Sequence, residues 1–187
     1  MNIFFGLKKY FFLSMAVFAG AFFLGITTAK LRPDLAQLIF QAISEKFAPL
    51  REESAGNIFA YIFINNTLID FLAIITFFLF GLGAVYILLS NGFIIGIVFQ
   101  SSISEKGIPL LVAALTPHGI IELPSFFLSA GTGIWLGLKL FQKIFKNEPF
   151  KVHFVRAIKI FFFVIIPLNL IAAFIETYIT PLIVTFF

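Results

Sequence analysis

The sequence predicts an all-α, polytopic integral membrane protein: a helical bundle of about five transmembrane helices, one broken or kinked, plus an interfacial amphipathic helix. Hydrophobic residues make up 60% of the 187 residues and charged residues only 12%, against about 25% in ordinary soluble domains. In water such a chain would expose large apolar patches, which drive association. Several apolar runs also reach the roughly 20 residues that cross a bilayer as helix.

The first predicted span covers residues 10–29, directly after Lys8 and Lys9. A cleavable secretory signal has a similar basic start and apolar run. This run is long and rich in phenylalanine, so we expect a retained membrane anchor.

Residues 30–56 are predicted to form an extracytoplasmic interfacial segment. Asp34 is a candidate N-cap, and Pro49 is expected to end the helix that follows. Between them, apolar residues recur at helical spacing, at Leu35, Leu38, Ile39, Ala42 and Ile43. The pattern predicts an amphipathic helix on the membrane surface; a helix packed on neighbouring loops is the alternative.

Residues 57–141 form the predicted core of a single membrane domain, 1–187. Two partitions of its first part are open. One has a full span over 68–89, followed by a broken crossing; the other is a hairpin that bends near Gly81-Leu82-Gly83. A further span over 120–140 is expected to bend at Pro124, because a proline ring clashes with the preceding helical turn.

A basic link over residues 142–159 and a last span over 160–178, kinked at Pro167, complete the prediction. With five crossings, the link and the N-terminus lie on the same side, which collects eight of the 13 Lys and Arg residues when Lys139, at the end of the preceding span, is included. The positive-inside rule then places both in the cytoplasm, in a cell membrane. We read the net charge of +4 as membrane orientation and not as nucleic-acid binding.

The stretch "TPHGIIELP" at 116–124 places polar groups between apolar runs. Thr116 suits an N-cap and Pro117 the first helical position, while Gly119 lets another backbone approach. His118 and Glu122 are four residues apart and share a helical face. They are interpreted as a structural pair, as part of an ion or proton path, or as half of a metal site.

A second polar group is expected at Asn65, Asn66 and Asp70, where Asn66 and Asp70 share a face and Asn65 is a candidate cap. Asparagine side chains can bond across membrane helices, so interhelical contact is the favoured role. The pair Asn91-Gly92 is interpreted as a turn or helix break.

Small residues four apart let membrane helices pack closely, within one chain or between chains. Examples are Gly92 with Gly96, Ser129 with Gly133 and Gly137, and Ala16 with Gly20.

Four sequence motifs, taken in order along the chain, resemble those of the stage II sporulation protein M family. The motifs are "FINNT" at 63–67, "LLSNGFIIG" at 88–96, "TPHGIIELP" at 116–124 and "SAGTGIWLG" at 129–137. The resemblance implies that the signature residues are Asn65, Asn66, Asn91, Gly92, Pro117, His118, Gly119, Glu122 and Gly133.

The same resemblance implies a multi-pass membrane protein without catalytic activity, whose family namesake acts as a membrane scaffold for cell-wall hydrolases in spore formers. We therefore expect a scaffold or component of a membrane complex, with lipid and other integral membrane proteins as partners and a homo-oligomer as an option. No cofactor or metal is expected, since the chain has no cysteine and no HExxH motif. A small transporter or channel component is the alternative function, and an intramembrane enzyme the third.

Overall fold

The computed structural model of the chain is helical over nearly all of the part that it describes. That part is residue 4, residues 6–106 and residues 108–185, without the side chains of residues 51, 104–106, 108–115 and 118. The long helices are α1 Lys8–Leu31, α2 Pro33–Phe47, α3 Ala55–Ile75, α4 Leu82–Lys106, α5 Ile108–Lys146 and α6 Lys151–Val184.

Among the described residues, five segments are long and apolar enough to cross a membrane, which confirms the predicted fold class. They are Lys8–Leu31, Ala55–Leu79, Leu82–Ile103, Gly119–Lys146 and Lys151–Val184. The fourth is the central one, because 56% of the residues in its most apolar stretch are buried in the bundle. In the other four segments the corresponding share is 17–33%. The predicted 142–159 link is also shorter than expected, since α5 continues to Lys146 and α6 begins at Lys151.

Of the two predicted arrangements of the core, the structure has the hairpin that bends near Gly81. The chain reverses at Phe80 and Gly81, whose φ angles are +54° and +90°, in the left-handed region that glycine tolerates most easily. A short 3₁₀ turn, Thr76–Leu79, leads into it. The alternative of a span over 68–89 is wrong.

Three predictions within the spans are wrong because polar residues lie inside helices. The predicted N-cap Asp34 is wrong as well, since it lies inside α2, whose N-cap position is Arg32. Asn91 and Gly92 lie within α4. The side-chain Nδ2 of Asn91 donates to the Ile87 carbonyl at 2.8 Å, so this polar group is satisfied without interrupting the helix. Asn65 lies in the middle of α3, which is capped instead by Ser54, whose Oγ accepts from the Asn57 N–H at 3.3 Å.

The third concerns α5, which begins at Ile108, well before the predicted start at Thr116 and Pro117. Pro117 and Pro124 are both inside this helix. Prolines are tolerated within membrane helices where neighbouring helices or local adjustments satisfy the freed carbonyls.

The last span, α6, contains two π-helical turns, Phe161–Ile165 and Ile175–Ile179. Each contains the residue four positions before a proline, Phe163 before Pro167 and Thr177 before Pro181. Because proline removes the N–H that would bond that carbonyl, the helix widens there.

The amphipathic helix α2 follows α1 directly and ends at Phe47, before the 3₁₀ turn Ala48–Glu52 that contains Pro49. Its buried edge packs Ala36 and Ile39 against Ala29 of α1 and Ile97 of α4. Its other apolar edge is exposed, with Leu38 65% accessible. This helix therefore rests on two spans and leaves a second apolar edge exposed.

Candidate functional site

Five of the polar residues singled out in the sequence converge on one cavity of about 180 Å³. All five belong to spanning segments, so the cavity lies inside the membrane region of the bundle. They are Asn65, Asn66 and Asp70 of α3, Asn91 of α4 and Glu122 of α5.

The α3 side chains reach the cavity because of helical spacing. Asn66 and Asp70 are one turn apart and both line it. The neighbouring Asn65 joins them, with its Nδ2 donating to Asn66 Oδ1 at 3.2 Å. The amides are thus linked to each other at the cavity wall, which is otherwise apolar: Phe18, Ile69, Ile95, Leu123 and Phe126.

Asp70 connects three helices. Its side chain is almost fully buried, and its Oδ2 accepts from Asn169 Nδ2 at 2.9 Å and from Ser125 Oγ at 3.4 Å. Ser129 Oγ donates to the Asp70 backbone carbonyl at 2.7 Å. Together these bonds join α3 to the central helix α5 and to α6.

Two members of this network, Asn169 and Ser125, were missed in the sequence. Asn169 is fully buried and is the one carboxamide in the apolar run of α6. A polar side chain in such a run is costly unless it is bonded to a neighbour, and that signal could have identified it. Ser125 lies one turn before Ser129, which we expected to serve only helix packing.

The Oδ1 atom of Asp70 is buried without a hydrogen-bond partner among the described residues. Glu122 faces the same cavity and interacts electrostatically with Asp70 and with Glu176 of α6. Glu122 of α5 is therefore influenced by one acidic group of α3 and one of α6. In the described ranges, no group of three or more His, Cys, Asp or Glu is arranged as a metal site.

The predicted pairing of His118 with Glu122 stays a prediction, because the His118 side chain lies outside the described residues. The two positions are one turn apart in α5, as the spacing required. Pro117 is half-buried, and a Cβ built on Gly119 would meet nothing within 4 Å among the described residues.

The other predicted packing glycines lie against backbone within the chain. A Cβ at Gly92 or Gly96 of α4 would collide with the α1 carbonyl of Phe18 or Phe22. A Cβ at Gly133 or Gly137 of α5 would collide with the backbone of Ala73 or of Phe80 and Gly81. These contacts fix α1 on α4 and fix α5 on the α3–α4 hairpin.

Chemically, the site is a set of interhelical hydrogen bonds beside a polar cavity. Its carboxylate and carboxamide groups can bond to one another or to another polar group. The hydrogen bonds of Asp70 connect α3 to α5 and α6.

Comparisons with known proteins give matches over most of the chain. The family model described as stage II sporulation protein M matches residues 14–181, which include all five cavity residues. An uncharacterized protein of Methanocaldococcus jannaschii is 33% identical over 131 residues, covering 68% of this chain and 74% of that protein. No solved structure matches the chain.

Proposed function

Because the chain belongs to the stage II sporulation protein M family, we propose that it is a non-catalytic scaffold in a membrane complex. It would hold a partner by lateral packing of helices, without reacting with it. The membrane would be the cytoplasmic membrane, with the N-terminus inside, since eight of the 13 Lys and Arg residues fall beside the N-terminus or around the α5–α6 link.

The observation that carries this proposal is an open stripe on α1. Leu13, Ala16, Gly20 and Leu24 recur at helical spacing and are all exposed. A Cβ built on Gly20 would meet nothing within 4 Å in the part of the chain that the structure describes. The small pairs on α4 and α5 are used inside the chain, whereas this pair on α1 is left over. We call these four residues the α1 stripe.

The chemistry of the stripe favours a transmembrane helix of another integral membrane protein as occupant. The stripe is uncharged and lies in a spanning segment, so its partner must be apolar at the same depth. Small residues four apart let two helix backbones approach closely, and membrane helices associate through such packing.

The opposite face of α1 supports this role because it is fixed. Gly25 of α1 lies against the backbone of Phe93 and Ile97 in α4, and Phe18 packs edge-on against Phe127 of α5, with ring centroids 5.3 Å apart. A helix held in this way presents its outer stripe in one orientation, which reduces the ordering cost of association.

Site-specific photocrosslinking in native membranes tests the proposal. A photoreactive residue at position 20 is compared with one at Phe163, which is 76% exposed on α6 and outside the stripe. We expect a discrete protein adduct from position 20 and lipid adducts from position 163. Identical lipid adducts at both positions would refute the scaffold role of this face.

A further inference from the structure

A second, larger cavity of about 420 Å³ opens where α1 begins, α5 ends and α6 begins. We propose that this cavity binds the phosphate group of an anionic phospholipid. By the positive-inside rule this end of the bundle would be cytoplasmic, and the cavity shares no lining residue with the polar cavity around Asp70.

The lining of this cavity is strongly basic. Lys9 comes from α1, Lys139 and Lys146 from α5, and Arg156 from α6. None of the described lining residues is acidic. Glu148 approaches Lys139 from outside the cavity, with Oε2 3.9 Å from Nζ, so the site keeps an excess of positive charge. Charge of this kind, brought together from three helices, favours an anion.

Arg156 is held in place by aromatic rings. Its Cζ lies 4.9 Å from the ring centroid of Trp135, and His153 packs edge-on against the same ring at 5.2 Å. Cation–π contact of this kind stabilises a guanidinium in a partly desolvated position. The planar donor fork of arginine matches phosphate oxygens, and Arg156 lines the cavity, so it brings a phosphate-binding type of side chain to the site.

The remaining lining favours a lipid over a soluble phosphate. Leu138 and Phe141 line the cavity and are 41% and 43% exposed, and Phe145 continues the apolar outer face of α5. An acyl chain can lie along these side chains while its phosphate meets the lysines. Tyr10 and Trp135 also line the cavity, and such amphipathic rings are typical of headgroup level. Basic pockets between membrane helices on the cytoplasmic side suit anionic headgroups.

Native mass spectrometry of the full-length chain in neutral detergent tests this site. The protein is titrated with phosphatidylglycerol and, separately, with zwitterionic phosphatidylcholine. We expect Lys9→Gln and Lys146→Gln each to weaken phosphatidylglycerol binding about fivefold, the effect of losing one interfacial lysine, with little change for phosphatidylcholine.

Lys8→Gln and Lys143→Gln are matched controls, since each removes the same charge within three residues of a lining lysine without touching the cavity. All four lysines are exposed, so these variants should fold like the wild type. Equal weakening in all four would overturn the proposal, because it would indicate a general surface charge effect.

A competition with inorganic phosphate distinguishes a site for a lipid phosphate group from a site for free phosphate. We expect millimolar phosphate to displace little phosphatidylglycerol, because phosphate lacks the acyl contacts with Leu138 and Phe141. Displacement at concentrations as low as those of the lipid, or equal affinity for the two lipids, would contradict the assignment to an anionic phospholipid.

Discussion

The side-chain nitrogen of Asn169 lies 2.9 Å from Oδ2 of Asp70, and neither side chain is more than 2% exposed. The two residues are 99 positions apart in the chain, so this one hydrogen bond fastens the last span to α3. Ser125 of α5 shares the same acceptor oxygen. The bundle is therefore held at its centre by a polar contact that apolar packing alone would not direct.

We expect Asn169→Leu to destabilise the protein, because it removes a donor from a buried acidic side chain. The cost of such an unsatisfied group is about 1–3 kcal/mol, measurable as a lower thermal unfolding midpoint in detergent. The double variant Asp70→Leu/Asn169→Leu should recover part of the loss, since replacing both partners of a buried bond can be nearly neutral. An Asn169→Leu protein as stable as the wild type would contradict the structural role of this bond.

The glycine contacts predict opposite effects for one type of substitution. Gly133→Ala should destabilise the bundle, because its Cβ would collide with the Ala73 carbonyl and overpacking typically costs about 1–3 kcal/mol. Gly20→Ala should be neutral or slightly stabilising, since the position is open and alanine has the higher helix propensity. Unfolding midpoints of both variants check this; equal midpoints would mean that α5 and α3 are not in backbone contact.

The position of α2 predicts a difference between two neighbouring residues. A nitroxide label at Leu38, on the apolar edge, should be more accessible to oxygen dissolved in lipid than to a water-soluble nickel chelate. A label at Gln37, on the polar face, should show the reverse. Water-like accessibility at both sites would place α2 away from the membrane surface.

The topology can be mapped with single cysteines, because the chain has none of its own. We expect a membrane-impermeant maleimide to label Glu52→Cys in intact cells, and Lys151→Cys only after permeabilisation. Both positions are exposed. The reverse pattern would invert the predicted orientation and would place the basic cavity in the outer leaflet.

The fold class could be predicted because composition and run length determine which segments a bilayer accepts. The convergence of Asn66, Asp70 and Glu122 was harder to predict. Helical periodicity shows which residues share a face of one helix, but it does not show which faces of different helices meet. The structure adds Asn169, which comes from the opposite end of the sequence and belongs to no motif.

The errors within the spans have one physical origin. Asn65, Asn91 and Pro117 are residues that cap, interrupt or begin helices in water, where helix ends are easily solvated. Inside a membrane, a free backbone group has no water to bond, so the helix continues and the side chain bonds to its own helix, as Asn91 does with Ile87. Rules derived from soluble proteins placed the boundaries wrongly for this reason.

The most direct test of the scaffold proposal is the size of the complex extracted gently from native membranes. The chain alone has a mass of 21.0 kDa. We predict that native electrophoresis shows a larger assembly for the wild type, and that Gly20→Leu releases the single chain without lowering its unfolding midpoint. Gly20→Ala should retain the assembly. A wild type that migrates as a single chain, or an assembly unaffected by Gly20→Leu, would contradict the proposal.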